Sequence, residues 1–319
     1  MKIIMDEQRR VTSGFSLVEL GITLAILATL LALILPAVQS SREAARRVIC
    51  QSKLRSWALA TQAFVAVREF FPPAATMRVG EAPDRRVEPA RHSLFAHLLP
   101  YCDEVTLAGR IDLTRDWNDS ANDTWTHQNL AALFLCPSAP GGRHTKHPSD
   151  YTTVVRVDPT TQFGLGELLR AERIRNRSGH NAPNWGNRLA VWDGLLLVDE
   201  VDYVRKRSSR RTRRPTDVKD GLSRTVLLVE NAGKPVCYRY GRPADCQITR
   251  FRWASPTIWM TLNDWCGEDQ LLNCHNNSQP YGFHPGGLNC VFADGSTRFL
   301  SADVGADQFV SAITAAASD

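Results

Sequence analysis

Eight cysteines, eight histidines and one acidic loop carry most of the side chains able to do chemistry in this 319-residue chain. The cysteines (Cys50, Cys102, Cys136, Cys237, Cys246, Cys266, Cys274, Cys290) include no Cys-x-x-Cys pair, which removes the usual spacing of zinc ribbons, thioredoxin-type sites and c-type haem attachment. An even, widely spaced set reads as disulfides in an oxidising compartment. Among the 105 connectivities that eight cysteines allow, Cys237–Cys246 and Cys266–Cys274 are candidate local bridges, while Cys102 and Cys290 either pair or stay buried thiols. His144 and His147 lack a third ligand and read as a surface loop. Asp116, Asn118, Asp119, Asn122 and Asp123 crowd oxygen donors together, yet the Gly and closing Glu of an EF-hand are missing. No metal is expected. His284 and Asp294 have no nucleophile beside them, and Gly-x-Ser-x-Gly, His-Glu-x-x-His and the phosphate-binding glycine motifs are absent. The chain therefore reads as no enzyme.

These residues need elements to position them. Hydrophobic residues at 43% and charged residues at 22% fit a globular chain and exclude wholesale disorder. A net charge of +5, without an aromatic-rich basic platform, gives no nucleic-acid partner. From Phe15 to Val38 the sequence is apolar but for Glu19 and a few small polar residues, about 36 Å of helix and enough to cross a bilayer. It outruns a signal-peptide core, and no Ala-x-Ala-like site follows. Glu19 stands at the membrane's edge, where a carboxylate needs a partner or a job.

Cys50, Leu54, Trp57, Ala58, Thr61 and Val65 then repeat at helical spacing, and Pro72-Pro73 stops the helix. One helix from about Phe15 to about Arg68 is predicted, with a kink at Pro36. Beyond it, strands are expected at 151–155, 194–198, 225–229, 289–293 and 297–300, and short helices near 92–99 and 129–133. The fold class is α+β: a long N-terminal helix packed on an antiparallel sheet domain with long loops. Asp294-Gly295 reads as a two-residue type I′ hairpin that puts Leu288, Cys290, Phe292 and Phe299 on one face. His284 is expected to bond a loop carbonyl or the Asp294 carboxylate. Seven basic residues between Arg205 and Arg214 read as a solvated loop.

Gly14-Phe15-Ser16-Leu17-Val18-Glu19 resembles the type IV prepilin and type II secretion pseudopilin signal, with Lys2, Arg9 and Arg10 in a short basic leader. The resemblance implies cleavage after Gly14 by a prepilin peptidase, N-methylation of Phe15, and assembly in which Glu19 neutralises a neighbour's new α-amine. His284, nine residues, then Asp294-Gly295 is similar to the closing motif of a large prepilin-like family of undefined function from planctomycete-type bacteria. Ser41–Arg47, Phe134–Ser138 and Asp217–Thr225 also match that family. Its recurrent cysteines imply a Cys50–Cys136 disulfide, and some pseudopilins carry a calcium-bound loop, which keeps calcium open at the acidic loop. The implied organisation is a leader at 1–14, a transmembrane half-helix at 15–38, an extracytoplasmic half at 39–70 and an extracytoplasmic domain at 71–319. The implied protein is a pilin- or pseudopilin-like subunit of a pilus- or secretion-type system. It spans the inner membrane once or stands in a surface filament, with like subunits or other pseudopilins as partners. A membrane-tethered binding protein that never polymerises is the alternative.

Overall fold

Leu17–Arg68 forms one continuous helix, α1, of 52 residues in the computed structural model. The structure describes residues 16–80, 90–102, 104–128, 130–143, 146–160, 164–177, 189–204, 207–209 and 212–315. Gly14, Phe15 and His144 lie outside them. The start of α1 follows from a Ser-x-x-Glu capping box, in which each side chain serves the other residue's end of the first turn. Ser16 Oγ accepts the Val18 N–H at 3.3 Å, and Glu19 Oε2 accepts the Ser16 N–H at 3.0 Å. At the far end Glu69 takes a left-handed φ of 65° and its N–H bonds the Val65 carbonyl at 2.8 Å, closing the helix before the proline pair.

The chain divides into two compact units, Met1–Ala45 and Arg46–Asp319. The described part of the first is helix alone, with Leu17, Leu24, Leu31, Leu33 and Leu35 all exposed. It is long and apolar enough to cross a membrane. Thr23 and Thr29 fold their hydroxyls onto the Leu20 and Ala25 carbonyls at 2.9 and 2.6 Å, leaving no side-chain donor facing outward there.

In the second unit the predicted stripe is the buried one. Cys50, Leu54, Trp57, Ala58 and Thr61 are covered, together with Ala60 and Phe64. β1 (Ala75–Val79), β2 (His92–Ser93), α2 (Leu94–Leu98), α3 (Val105–Ala108), α4 (Ser120–Thr126) and α5 (Ala131–Phe134) come next. β3 (Tyr151–Thr152), β4 (Val154–Val157), α6 (Gly166–Arg170), β5 (Val198–Asp202), β6 (Arg207–Ser209) and β7 (Val226–Glu230) follow. β8 (Tyr238–Arg239), β9 (Arg242–Pro243), β10 (Met260–Leu262), β11 (Gly287–Phe292), β12 (Thr297–Ser301) and α7 (Ala306–Ile313) complete the order. The fold is α+β.

The central sheet, β12-β11-β7-β3, is antiparallel throughout. Val291, Leu227 and Leu228 face the cluster of Leu54, Trp57 and Phe134. Leu288, Cys290, Phe292 and Val226 face Phe309, Val310 and Ile313 of α7. β11 is thus covered on both sides, and all six of its residues are buried. A second sheet, β2-β1-β5-β6, and the pair β10-β4 each contain a parallel pairing, between β1 and β5 and between β4 and β10.

Two expectations are corrected. The hairpin is not type I′: Gly295 N–H bonds the Phe292 carbonyl at 2.9 Å, and Gly295 alone takes positive φ (84°), while Asp294 does not. That is a three-residue turn closed by a left-handed glycine. One extra turn residue shifts the register by one and reverses the faces. Asn289 therefore pairs with Phe299, and Leu288 with Leu300. Phe299 leaves the predicted face, where Leu300 takes its place, and lies under the Arg47 guanidinium, 3.3 Å from the ring centre. The basic stretch is also not all loop, since Arg207–Ser209 pairs antiparallel with β5 as an edge strand. Charge on an edge blocks pairing with another chain. Arg205, Lys206, Arg210 and Arg211 lie outside the described residues.

Two histidines make an acid-sensitive spot beside α2. His92 is buried with Nε2 on the Arg115 carbonyl at 2.6 Å, and His97 Nε2 is buried without a partner. Burial lowers both, His97 to about 3, helped by the His92 ring 6.0 Å away. Below an ordinary value of about 6.5 the unfolded chain binds protons that the native imidazoles refuse. Stability is therefore expected to fall as pH drops from about 6.5 towards 4.5, by about 1.4 kcal/mol per pH unit from the His97 ring, with His92 adding in the same direction. Urea unfolding at pH 7 and pH 5 checks this. His97→Gln should flatten the slope, and an unchanged wild-type midpoint would refute it.

Candidate functional site: a buried thiol, imidazole and carboxylate centre

Four side chains from four separate segments converge on one buried point. Cys50 comes from the covered face of α1, and Cys136 from the loop after α5. Glu230 ends β7, and His284 stands in the loop leading into β11. All four are buried, and their donor atoms lie within 4.8 Å of one another. Cys50 and Cys136 Sγ are 2.7 Å apart as two thiols, rather than a closed bridge. His284 Nε2 lies 3.5 Å from Cys136 Sγ and 3.2 Å from Glu230 Oε1. Its other nitrogen, Nδ1, faces Ser138 Oγ at 3.3 Å.

The surroundings fix these groups. Glu230 Oε2 accepts the Asn289 N–H at 2.7 Å and Oε1 accepts Asn289 Nδ2 at 3.0 Å. Asn289 is itself held from α1 by Gln51 Nε2 at 3.1 Å. Gly287 lets β12 come close, because a Cβ there would stand 1.9 Å from the Leu300 carbonyl oxygen. The Cys136 N–H bonds Asp150 Oδ2 at 2.8 Å, and Lys53 Nζ donates to the Leu135 carbonyl at 2.6 Å. Asp150 is clamped in turn by both Arg143 Nη atoms at 2.7 and 2.8 Å, an ion pair with almost no exposure.

The electrostatics polarise the thiols. The hydrogen bond from Cys50 draws Cys136 down to about 7 against burial, with His284 adding to it. Cys50 is pushed up by the same bond and by burial. Burial alone would lower His284, but its bonds to Cys136 and Glu230 outweigh that and raise it to about 10. The donor set is thiolate, imidazole and carboxylate oxygen, which suits soft-to-borderline metals and thiol redox chemistry.

Other predicted residues are placed differently. His284 and Asp294 sit at opposite ends of β11, about 20 Å apart along the strand. Asp294 instead accepts the Ser296 N–H and hydroxyl at 2.9 and 2.7 Å within its turn. In the acidic loop Asp116 is gripped by the guanidinium groups of Arg78 and Arg91, and the Asn122 amide donates to the Asp112, Arg115 and Asp116 carbonyls. Asp119 caps α4 by accepting the Ala121 N–H. Those oxygens therefore face cations and backbone donors of the chain itself. Cys237–Cys246 and Cys266–Cys274 are bridged, and Cys102 and Cys290 are separate thiols. Glu230 had no local signature because its partners lie 54 and 59 residues away, while Asp150 meets Arg143 only seven residues back, in a spacing that marks no motif. The capping box of Ser16 and Glu19 did have one, in the Ser-x-x-Glu spacing.

Residues 39–307 match the family described as Protein of unknown function (DUF1559). The chain belongs to that family. The DUF1559 match starts after the apolar segment and contains all four residues of the buried centre. No curated protein and no solved structure matches the chain.

Proposed function

We propose that this DUF1559 protein is a pilin- or pseudopilin-like subunit, cut after Gly14 by a prepilin peptidase, N-methylated on Phe15 and assembled through α1. The observation that carries this reading is the uncovered apolar surface of α1 from Leu17 onward, with a carboxylate one turn from its start. The protein's work is then structural, and its domain faces out of the inner membrane. Such a surface needs lipid or like helices. A buried α-amine needs a counter-charge, which Glu19 of a neighbour supplies. In the single chain Glu19 instead caps its own helix, so assembly exchanges a backbone N–H partner for an ammonium. Paired variants separate the two roles. Ser16→Ala removes half of the capping box and leaves the carboxylate, so filaments in shear fractions should persist. Glu19→Ala should abolish them. Equal assembly by both variants would overturn the pairing, and protein from native membranes still starting at Met1 would overturn the processing.

The tethered binding protein is favoured by one feature, a cleft of about 480 Å³ lined by Arg175, Arg224, Arg298, Phe292, Phe309 and Asp307. Processed monomers confined to membranes, with no filament, would decide for it.

A further inference from the structure

We propose that Cys50, Cys136, His284 and Glu230 together hold one divalent metal ion, zinc by preference, as a closed structural clasp between α1 and the central sheet. This does not depend on whether the chain polymerises. Four-coordinate zinc has bonds of about 2.3 Å to sulfur and about 2.0–2.1 Å to nitrogen and oxygen, so tetrahedral neighbours stand about 3.3–3.8 Å apart. His284 Nε2 meets that spacing against Cys136 Sγ (3.5 Å) and stands just inside it against Glu230 Oε1 (3.2 Å). The two sulfurs, 2.7 Å apart, are too far for a disulfide, near 2.05 Å, and must separate by about 1 Å to share an ion.

Two further observations point to an ion. Glu230 is wholly buried, its hydrogen bonds come from neutral Asn289, and its nearest cationic group is the His284 ring. A buried carboxylate beside two thiols needs positive charge next to it, which a protonated His284 or a bound cation supplies. The outer contacts are those that hold zinc ligands in place: Ser138 on His284 Nδ1, Asn289 on the carboxylate, and Asp150 on the Cys136 N–H. Two thiolates and a carboxylate against a doubly charged ion leave a net charge of −1, which Lys53 on the Leu135 carbonyl is placed to offset. Thiolate and imidazole select zinc over calcium or magnesium. All four positions are filled by protein, so the site is structural and not catalytic. Bound metal would also keep Cys50 and Cys136 from closing a bridge where Cys237–Cys246 and Cys266–Cys274 have closed.

The test uses the full chain taken from native membranes in detergent, without chelators or added thiols. About one zinc per chain by elemental mass spectrometry is expected, with Cys50 and Cys136 alkylated only after denaturation in chelator. Cobalt exchanged into wild-type protein should give thiolate-to-cobalt charge-transfer absorption and the strong visible bands of a tetrahedral site. Ser138→Ala should weaken the ion's hold about tenfold, the effect of losing an outer contact. A Cys50–Cys136 bridge in the native protein would overturn the proposal, and so would metal-free thiols or cobalt bound without a sulfur band. Because the cobalt spectrum is read on wild-type protein, a variant that fails to fold does not blunt the test.

Discussion

Asp150→Ala is expected to cost about 3–5 kcal/mol of unfolding free energy, because it leaves a guanidinium buried without its counter-ion. Arg143 is 6% exposed and Asp150 wholly buried, with two short bonds between them. The same carboxylate also accepts the Cys136 N–H at 2.8 Å and the Gly233 N–H at 3.1 Å. One substitution therefore orphans two backbone donors as well as a charge. Lys234 aggravates the loss, since burial lowers it to about 8 and Asp150 is the group that opposes that fall. Replacing both ends of the pair, as Arg143→Met with Asp150→Leu, should recover much of the stability, because no buried charge is then unmatched. Urea unfolding of the three variants measures this. A cost for Asp150→Ala under about 1 kcal/mol, or a double variant worse than the single, would refute the account.

Trp57→Ala should cost a similar amount, about 3–5 kcal/mol, for a different reason. Trp57 is 2% exposed, with Phe95 and Phe134 rings 4.8 and 5.1 Å away, and Phe134 stacks on Trp253 at 5.4 Å. Removing the indole opens a void in the middle of an aromatic stack that its neighbours cannot fill. Alanine is the better helix former, so α1 itself gains and the whole loss is tertiary. Leu59→Ala, on the exposed side of the same helix, is the control and should stay within about 0.5 kcal/mol. Thermal unfolding of both variants tests the contrast. Equal midpoints would mean that the covered stripe of α1 is not what binds the helix to its domain.

The stripe was legible because helical burial writes itself into the sequence every three to four residues, and the Pro72-Pro73 stop is equally local. The hairpin was legible as a hairpin and misread in register, since Asp-Gly serves a two-residue turn or the end of a three-residue one. β5 begins four residues after its expected start, because Val-Asp-Glu-Val-Asp alternates poorly and its partner β1 lies more than a hundred residues away. Of the buried centre, the sequence offered a His without its acceptors and two cysteines paired only by resemblance. Glu230 closes a strand of Val and Leu and carries no local mark of its destination. Convergence of that kind is a property of the chain path, and no window along the sequence contains it.

The bond from Gln51 to Asn289 joins residues 238 positions apart, and the one from Cys136 to His284 spans 148. During synthesis the covered face of α1 is therefore made early and receives its last partners only when almost the whole chain has been produced. Trp57 can meet Phe95 and Phe134 earlier, but until then the Cys50 end of that face lacks partners from β11 and its entry loop, an exposure that favours aggregation over native closure. A chain ended anywhere before His284 would lack the partners that close the Cys50 end of that face. The covered face of α1 is thus closed in two stages, its Trp57 side by residues made early and its Cys50 side by residues translated near the end.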